Sequence, residues 1–422
     1  MPPFKPQIAV VGTLDTKLEE FLYLRSQILE NDPSLTVILI DAGRSVVEHD
    51  AITIKQHEVL KASGFQGGDS AFMSLPRGDL IKIMIKGAIE TVKQLQDREG
   101  VQAIIGLGGS GGTSIVSAVM RELPLTFPKL IVSTVASSDV SFYIAETDIT
   151  MMYSVVDIAG LNELLKAVVD NAAGAIVGMA KAYAKRTSNN HNNTKTTKKG
   201  IGITMFGVTT KGVSAVRKRL ESYGFEVYIF HATGSGGRSM ERLVKEGRLH
   251  GILDMTTTEL ADELAGGVFS AGNSRLTAAA KAGLPQIVSV GALDMVNFGP
   301  RDTVPKKFRE RKLIEHTPLV TIMRTTEQEC EELGKRVAQR LKENCIRPEF
   351  TEVWLPLRGV SALDVEGQAF YDKVSDEALF TAIKNGLEGS GILVNELDTD
   401  INDPGWSESI AERLSKLIEL KG

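Results

Sequence analysis

The chain has 422 residues, more than one ordinary hydrophobic core accommodates and enough for two or three domains. Hydrophobic residues make up 42% and charged residues 24%, which excludes a disordered or fibrous chain. The formal net charge of −5 argues against a nucleic-acid binder, and no run of about 18 apolar residues is available to span a membrane.

From Ile8 the chain alternates strand-like and helix-like segments. IAVVGT is a continuous apolar run, the pattern of a strand covered on both faces in a parallel sheet. DTKLEEFLYLRSQILEN follows with Leu18, Phe21, Leu22, Ile28 and Leu29 at helical spacing, and Asp15 or Thr16 is placed to cap it. TVILIDAG is a second buried strand. DLIKIMIKGAIETVKQLQDREG predicts a helix, VQAIIG a strand, TSIVSAVMREL a helix and KLIVSTVAS a fourth strand. Such alternation predicts βαβ units and a doubly wound parallel sheet.

The first strand-to-helix turn, GTLDTK, combines Gly12 for a sharp turn, Thr13 and Thr16 as hydroxyl donors, and Lys17 as a cation for phosphate. Asp15 is either a helix cap or a magnesium contact. Asp41, in IDAGR, holds the position that binds ribose in a Rossmann unit, and Arg44 is within reach of a phosphate.

GLGGSGGTS, from 106 to 114, lies between a strand and a helix and satisfies G-x-G-x-x-G. The uncapped helix start and its dipole favour an anion. The loop fits neither common fingerprint. No lysine follows the glycines, as a P-loop requires, and the next strand ends in STVASS without the acid that holds an NAD ribose. It reads as a phosphate cradle of another kind built from Gly108, Gly109, Ser110, Gly111, Gly112 and Thr113; the competing reading is a glycine-rich corner with no ligand. Asp139, Glu146 and Asp148 are further carboxylates near strand ends that suit magnesium already carrying phosphates, or equally serve as caps and surface charges.

MMYSVVDIAGLNELLKAVVDNAAGAIVGMAKAY is apolar around much of a helical circumference, either a core helix or one covered partly by a second subunit. AKRTSNNHNNTKTTKKG then loses all periodicity and reads as a solvated linker or exposed loop. Domains are expected at 1–185 and 201–422, with the linker at 186–200.

Past the linker the opening theme returns: IGITMFGVTTK parallels IAVVGTLDTK, VYIFHATGSGG parallels VILIDAG, and LHGILDMTTTE parallels VQAIIGLGGSGG. The fold class expected is α/β, with two Rossmann-like subdomains, each a mostly parallel sheet flanked by helices. In HATGSGG, a second small-residue turn, His231 is the best general acid–base candidate because imidazole titrates near neutrality; a hydrogen-bonded structural histidine is the alternative. Glu259 in MTTTELADEL and Asp294 in VGALDMVNF follow strand ends and are the catalytic carboxylate candidates; helix caps and surface charges look the same in sequence. His316 has no identifiable partner. Cys330 and Cys345 are too few for a disulfide framework, and the N-terminus lacks a secretory pattern, so a cytoplasmic location is expected.

VGTLDTK, DAG, GLGGSGGTS, ETDITMMYSVVDIAGLN, FHATGSGG, PQIVSVGALDMVNF, EHTPLVTIMRT and VNELDTDINDP together resemble an uncharacterised protein family. That family includes the ATP-binding inhibitory domain of the tomato mosaic virus resistance protein. The resemblance covers essentially the whole chain. It implies ATP with magnesium at the N-terminal subdomain and a homodimer, without implying a particular reaction. The expectation is therefore an ATP-binding, magnesium-dependent two-domain protein, an enzyme acting on a small molecule in the cleft between its halves. The alternative is a nucleotide-regulated protein-binding module without turnover. A dinucleotide oxidoreductase is a third reading.

Overall fold

The computed structural model describes residues 6–192 and 198–421. The chain divides into two compact units, Met1–Lys195 and Thr196–Gly422. Of the expected linker, residues 193–197 lie outside the described residues.

The first unit runs β1 (Gln7–Gly12), α1 (Leu14–Asn31), β2 (Thr36–Asp41), α2 (Gln56–Ala62), α3 (Gly68–Met73), α4 (Arg77–Glu99), β3 (Val101–Gly108), α5 (Ser110–Arg121), β4 (Lys129–Ser133), α6 (Ser141–Ile144), β5 (Thr150–Tyr153) and α7 (Glu163–Asn192). Its five strands are parallel, in the order β2-β1-β3-β4-β5. The continuous apolar runs of the central strands bury side chains on both faces. Ile8, Val10, Ile105 and Leu107 meet α1 and α7, whereas Ala9, Val11, Ile104 and Ile131 meet α4 and α5. Two cores, one on each face, are what a doubly wound sheet requires.

Two expectations are corrected here. MMY, read as part of a long helix, is strand β5, and the helix begins at Glu163. The polar stretch read as linker from residue 186 continues α7 as far as Asn192. Once a helix is nucleated, adding turns costs little, and here polar contacts support them: Thr187 Oγ1 donates to the Tyr183 carbonyl at 3.0 Å, and Arg186 donates to the Thr126 carbonyl at 3.0 Å. Leu165, Val169, Ala172, Ile176 and Ala180 of α7 lie in this unit's own core.

The second unit contains β6 (Gly200–Met205), α8 (Thr210–Ser222), β7 (Glu226–His231), α9 (Ser235–Lys245), β8 (Gly251–Thr256), α10 (Glu259–Ala265), α11 (Ala278–Ala282), β9 (Gln286–Gly291), β10 (Met295–Phe298), β11 (Leu313–Thr317), β12 (Val320–Arg324), α12 (Glu327–Asn344), β13 (Thr351–Pro356), α13 (Lys373–Leu387), β14 (Leu393–Leu397) and α14 (Pro404–Lys421). Six parallel strands take the order β14-β13-β9-β8-β6-β7, and an antiparallel sheet β10-β12-β11 is added. The paired motifs occupy matching places, β1 with β6, β2 with β7 and β3 with β8. Both units are α/β with mostly parallel sheets flanked by helices. Among the described residues no helix is long and apolar enough to cross a membrane.

Candidate functional site

In the order β2-β1-β3, α1 after β1 and α5 after β3 pack on opposite faces of the sheet, so a crevice opens between the carboxyl ends of β1 and β3. GTLDTK and GLGGSGG are those two ends. A pocket of about 430 Å³ lies there, within the size range of small-molecule sites.

The glycine loop forms one wall, and its glycines divide into two kinds. A Cβ at Gly106 would lie 2.6 Å from Val116, and one at Gly108 would lie 2.8 Å from the backbone of Gly112. Those two are required by the packing of α5 on β3. At Gly109 the nearest atom to a Cβ is 3.7 Å away, and at Gly111 it is 3.4 Å away, the tip of Arg77. No glycine in the loop has positive φ. Neither sterics nor backbone conformation therefore demands glycine at 109 or 111. The corner reading accounts for half the loop only; the other half exposes main chain directly to the pocket. Gly109 is the N-cap of α5 and supplies no side-chain acceptor, so the first-turn amides are left for another partner.

The opposite wall comes from the β1–α1 turn. Thr13, Asp15, Thr16 and Lys17 all line the pocket. Neither Asp15 nor Thr16 caps α1; Thr13 is the N-cap residue, and the helix is interrupted at Lys17, whose φ is −143°. Asp15 Oδ2 accepts N–H bonds from Arg44 at 3.0 Å and Ser45 at 3.1 Å, which ties the loop after β2 to this turn. Lys17 Nζ donates to the Ile158 carbonyl, and buried Glu20 accepts from Gly160 N–H at 2.7 Å. The VVDIAG motif thus docks on the start of α1. Arg44 lines the pocket with its guanidinium tethered to the Met73 carbonyl at 2.8 Å.

Sequence reasoning missed the third wall. Arg77, Leu80, Ile81 and Met84 lie on one face of α4, with Ile115 of α5 and Ala42 beside them. The i, i+3, i+4, i+7 spacing after Pro76 was the available signal. The exposed Arg77 side chain has no hydrogen bond or ion pair among the described residues. The pocket lining thus carries Lys17, Arg44 and Arg77 against one carboxylate, Asp15.

Four predicted residues stand behind the wall. A Cβ at Gly12 would enter the Phe21 ring, at 1.8 Å. Thr113 is buried, with its hydroxyl 2.7 Å from Ser133 Oγ and 3.2 Å from the Gly108 carbonyl. Gly108 packs as described. Asp41 is fully buried, and its Oδ1 accepts from Gly43 N–H at 2.8 Å and Leu14 N–H at 3.2 Å, so it locks the two turns together. Burial raises its pKa to about 6. Asp148 pairs with buried Lys129 at 2.8 Å and also accepts from Thr126 N–H; both contacts are at the amino end of β4, away from the pocket. Asp139 accepts from Ser141 N–H in its own turn.

No group of three or more metal-ligating side chains gathers among the described residues. Magnesium that arrives on phosphates needs only one or two protein carboxylates. Partly exposed Asp15, with the Thr13 and Thr16 hydroxyls beside it, is a donor set that fits such an ion.

In the second unit, the HATGSGG turn is built differently from GLGGSGG. Gly234 has φ +82°, a Cβ at Gly236 would lie 1.9 Å from the His231 carbonyl, and one at Gly237 would meet Glu259 Oε2 at 2.2 Å. Each glycine has a conformational or packing reason. Glu259 Oε1 accepts N–H bonds from Gly234 at 2.7 Å and Gly237 at 3.0 Å, while Oε2 accepts from Arg275 Nε at 2.6 Å. The start of α9 is already filled by the protein's own carboxylate. Arg275 is buried and also pairs with Asp254 and Glu241. Asp294 is equally buried; its Oδ2 accepts from Ser361 Oγ at 2.8 Å, and burial raises its pKa to about 6, opposed by nearby Arg324. His231 is exposed at the end of β7, its ring 5.4 Å from that of Phe206, in a smaller pocket that also holds His316. Of the three, His231 lines this pocket, whereas the carboxylates of Glu259 and Asp294 are taken up in buried hydrogen bonds.

Sequence profiles of an uncharacterised protein family, UPF0261, match residues 6–185 as its N-terminal domain and 198–418 as its C-terminal domain. A UPF0261 protein of Clostridium tetani is 45% identical over 98% of this chain and 99% of its own length. One from Rhizobium meliloti is 42% identical over 96% of this chain and 97% of its own length. The ToMV resistance protein Tm-1 of Solanum lycopersicum is 38% identical over 96% of this chain, which spans 55% of that protein. A UDP-GlcNAc 2-epimerase structure from Neisseria meningitidis aligns over 97% of this chain and 100% of its own at 12% identity, with a TM-score of 0.21.

Proposed function

The chain belongs to the uncharacterised protein family UPF0261, and we propose that its first unit binds ATP with magnesium in the pocket between β1 and β3. The observation that carries this reading is glycine at 109 and 111, where neither packing nor φ requires it, at an uncapped helix start facing three cations. Main-chain amides of α5 hold phosphate oxygens, Arg44, Arg77 and Lys17 offset their charge, and the apolar face of α4 receives the base. Asp15 holds the magnesium that the phosphates carry, and the ion adds charge neutralisation there.

Ligand binding raises the melting temperature in proportion to the logarithm of concentration over Kd. Mg·ATP at saturation should stabilise the wild type, with NAD doing so less. Ser110→Glu, which places a carboxylate against the phosphates, should abolish the ATP shift while the ligand-free melting temperature is kept. An undiminished shift in that variant removes the loop from the site. Asp15→Asn keeps an oxygen for the Arg44 and Ser45 amides, so its expected defect is confined to the magnesium dependence of ATP binding.

We propose further that the protein is an enzyme that uses ATP to act on a small molecule. Incubation with Mg·ATP and a metabolite panel, following ADP, AMP and phosphate, tests this. Release of none of them, together with co-purification of a protein partner that ATP displaces, favours a nucleotide-regulated binding module.

A further inference from the structure

A second pocket, of about 270 Å³, lies within the six-stranded unit at the carboxyl ends of β6 and β7. Phe206 and Gly207 follow β6, His231 ends β7, Phe269 closes one side, and His316 of β11 adds a second imidazole above aliphatic side chains of β10 and β12. The site adjoins the β6/β8 crevice, where the strand order of this sheet reverses.

Three observations mark it as a built site. The rings of His231 and His316, exposed and distant in sequence, line one cavity, and neither has a hydrogen-bond partner among the described residues. Phe206 lies 5.4 Å from the His231 ring and 6.1 Å from the Phe269 ring, so aromatic faces frame the imidazole. Gly207 has nothing within 4 Å of a Cβ position and no positive φ, so a side chain there would disturb only what enters the pocket.

The lining also states the ligand's chemistry. Among the described residues it contains no carboxylate, so a cation gains nothing, and two imidazoles without a third ligand make a poor metal site. It contains no lysine or arginine, so a phosphate dianion lacks the charge it requires. A monoanion held by imidazole N–H donors, with a flat apolar body against aromatic rings, satisfies both walls.

We propose that this pocket binds a small aromatic or conjugated carboxylate, with His231 and His316 on the carboxylate and Phe206 and Phe269 against the body. It is independent of the nucleotide reading, because every lining residue lies in the other unit. The test is titration calorimetry of the full chain with benzoate, cinnamate and phenylpyruvate, with inorganic phosphate as comparator. Saturable binding of at least one carboxylate is expected, weakened tenfold or more in both His231→Gln and His316→Gln. Both side chains line the pocket rim, so unchanged melting temperatures should show that the variants are folded. Absence of saturable binding for all three carboxylates, binding that survives both substitutions, or a preference for phosphate overturns the proposal. Titration of the same variants with Mg·ATP should be unaltered from wild type, which separates failure here from failure of the nucleotide site.

Discussion

Gly108 and Gly109 are neighbours in the chain, yet alanine at each should have opposite consequences. Gly108→Ala drives a methyl to 2.8 Å from the backbone of Gly112 and Thr113, and overpacking of this kind costs about 1–3 kcal/mol. Gly109→Ala meets nothing closer than 3.7 Å, with a backbone φ of −74°, so stability should change by less than about 0.5 kcal/mol. Its cost should fall on ATP affinity, since the methyl projects where the proposed site sets main chain against phosphate. Urea unfolding and ATP titration of the two variants separate packing from binding. Asp41 offers a pH test. Its folded pKa, about 6, is above the ordinary 3.8 because burial penalises the charge. Stability from this group is therefore full below pH 3.8 and is lost as pH rises through about 6. Asp41→Asn should remove that decline, and melting temperatures from pH 4 to 8 should show a flatter curve for the variant.

At the scale of elements, α5 and α9 begin in similar glycine-rich turns after parallel strands and end up in different electrostatic states. The start of α9 receives Glu259, and Arg275 binds that carboxylate together with Asp254 and Glu241. Among the described residues, no carboxylate caps the start of α5. Arg275→Met should destabilise the second unit by about 3–5 kcal/mol, because three buried carboxylates lose their shared cation. Burial raises the pKa of Glu241 even beside Arg275, so the loss should deepen as pH rises and this carboxyl ionises, which unfolding at pH 5 and pH 8 will measure. Sequence could not separate the two turns. GLGGSGG and HATGSGG have the same residue types at similar spacing, and Glu259 sits 22 residues from Gly237, a contact that only packing creates. The last turns of α7 were hidden for another reason: their support is polar, so the apolar period vanishes while the helix continues.

At the scale of the molecule, each unit carries cores on both faces of its own parallel sheet. Everything lining the proposed nucleotide pocket lies between residues 13 and 115. A fragment of residues 1–192 should therefore fold cooperatively and retain the Mg·ATP shift, as circular dichroism melts with and without nucleotide will report. A fragment that folds without the Mg·ATP shift that the full chain gives would overturn the assignment of the whole site to the first unit. The order β2-β1-β3 is what makes the pocket, since it brings turns nearly a hundred residues apart to one crevice.

By itself the sequence determined the α/β alternation, the burial of its strands and the two turns that face the crevice, because hydrophobic period and glycine placement are local signals. Which glycines serve packing and which face the pocket was decided only by tertiary contacts. The same holds for Arg77 and the α4 wall, for the withdrawal of Asp41 and Glu259 into internal bonds, and for the meeting of His231 with His316. Each depends on a neighbour far along the chain, and distance in sequence carries no record of distance in space.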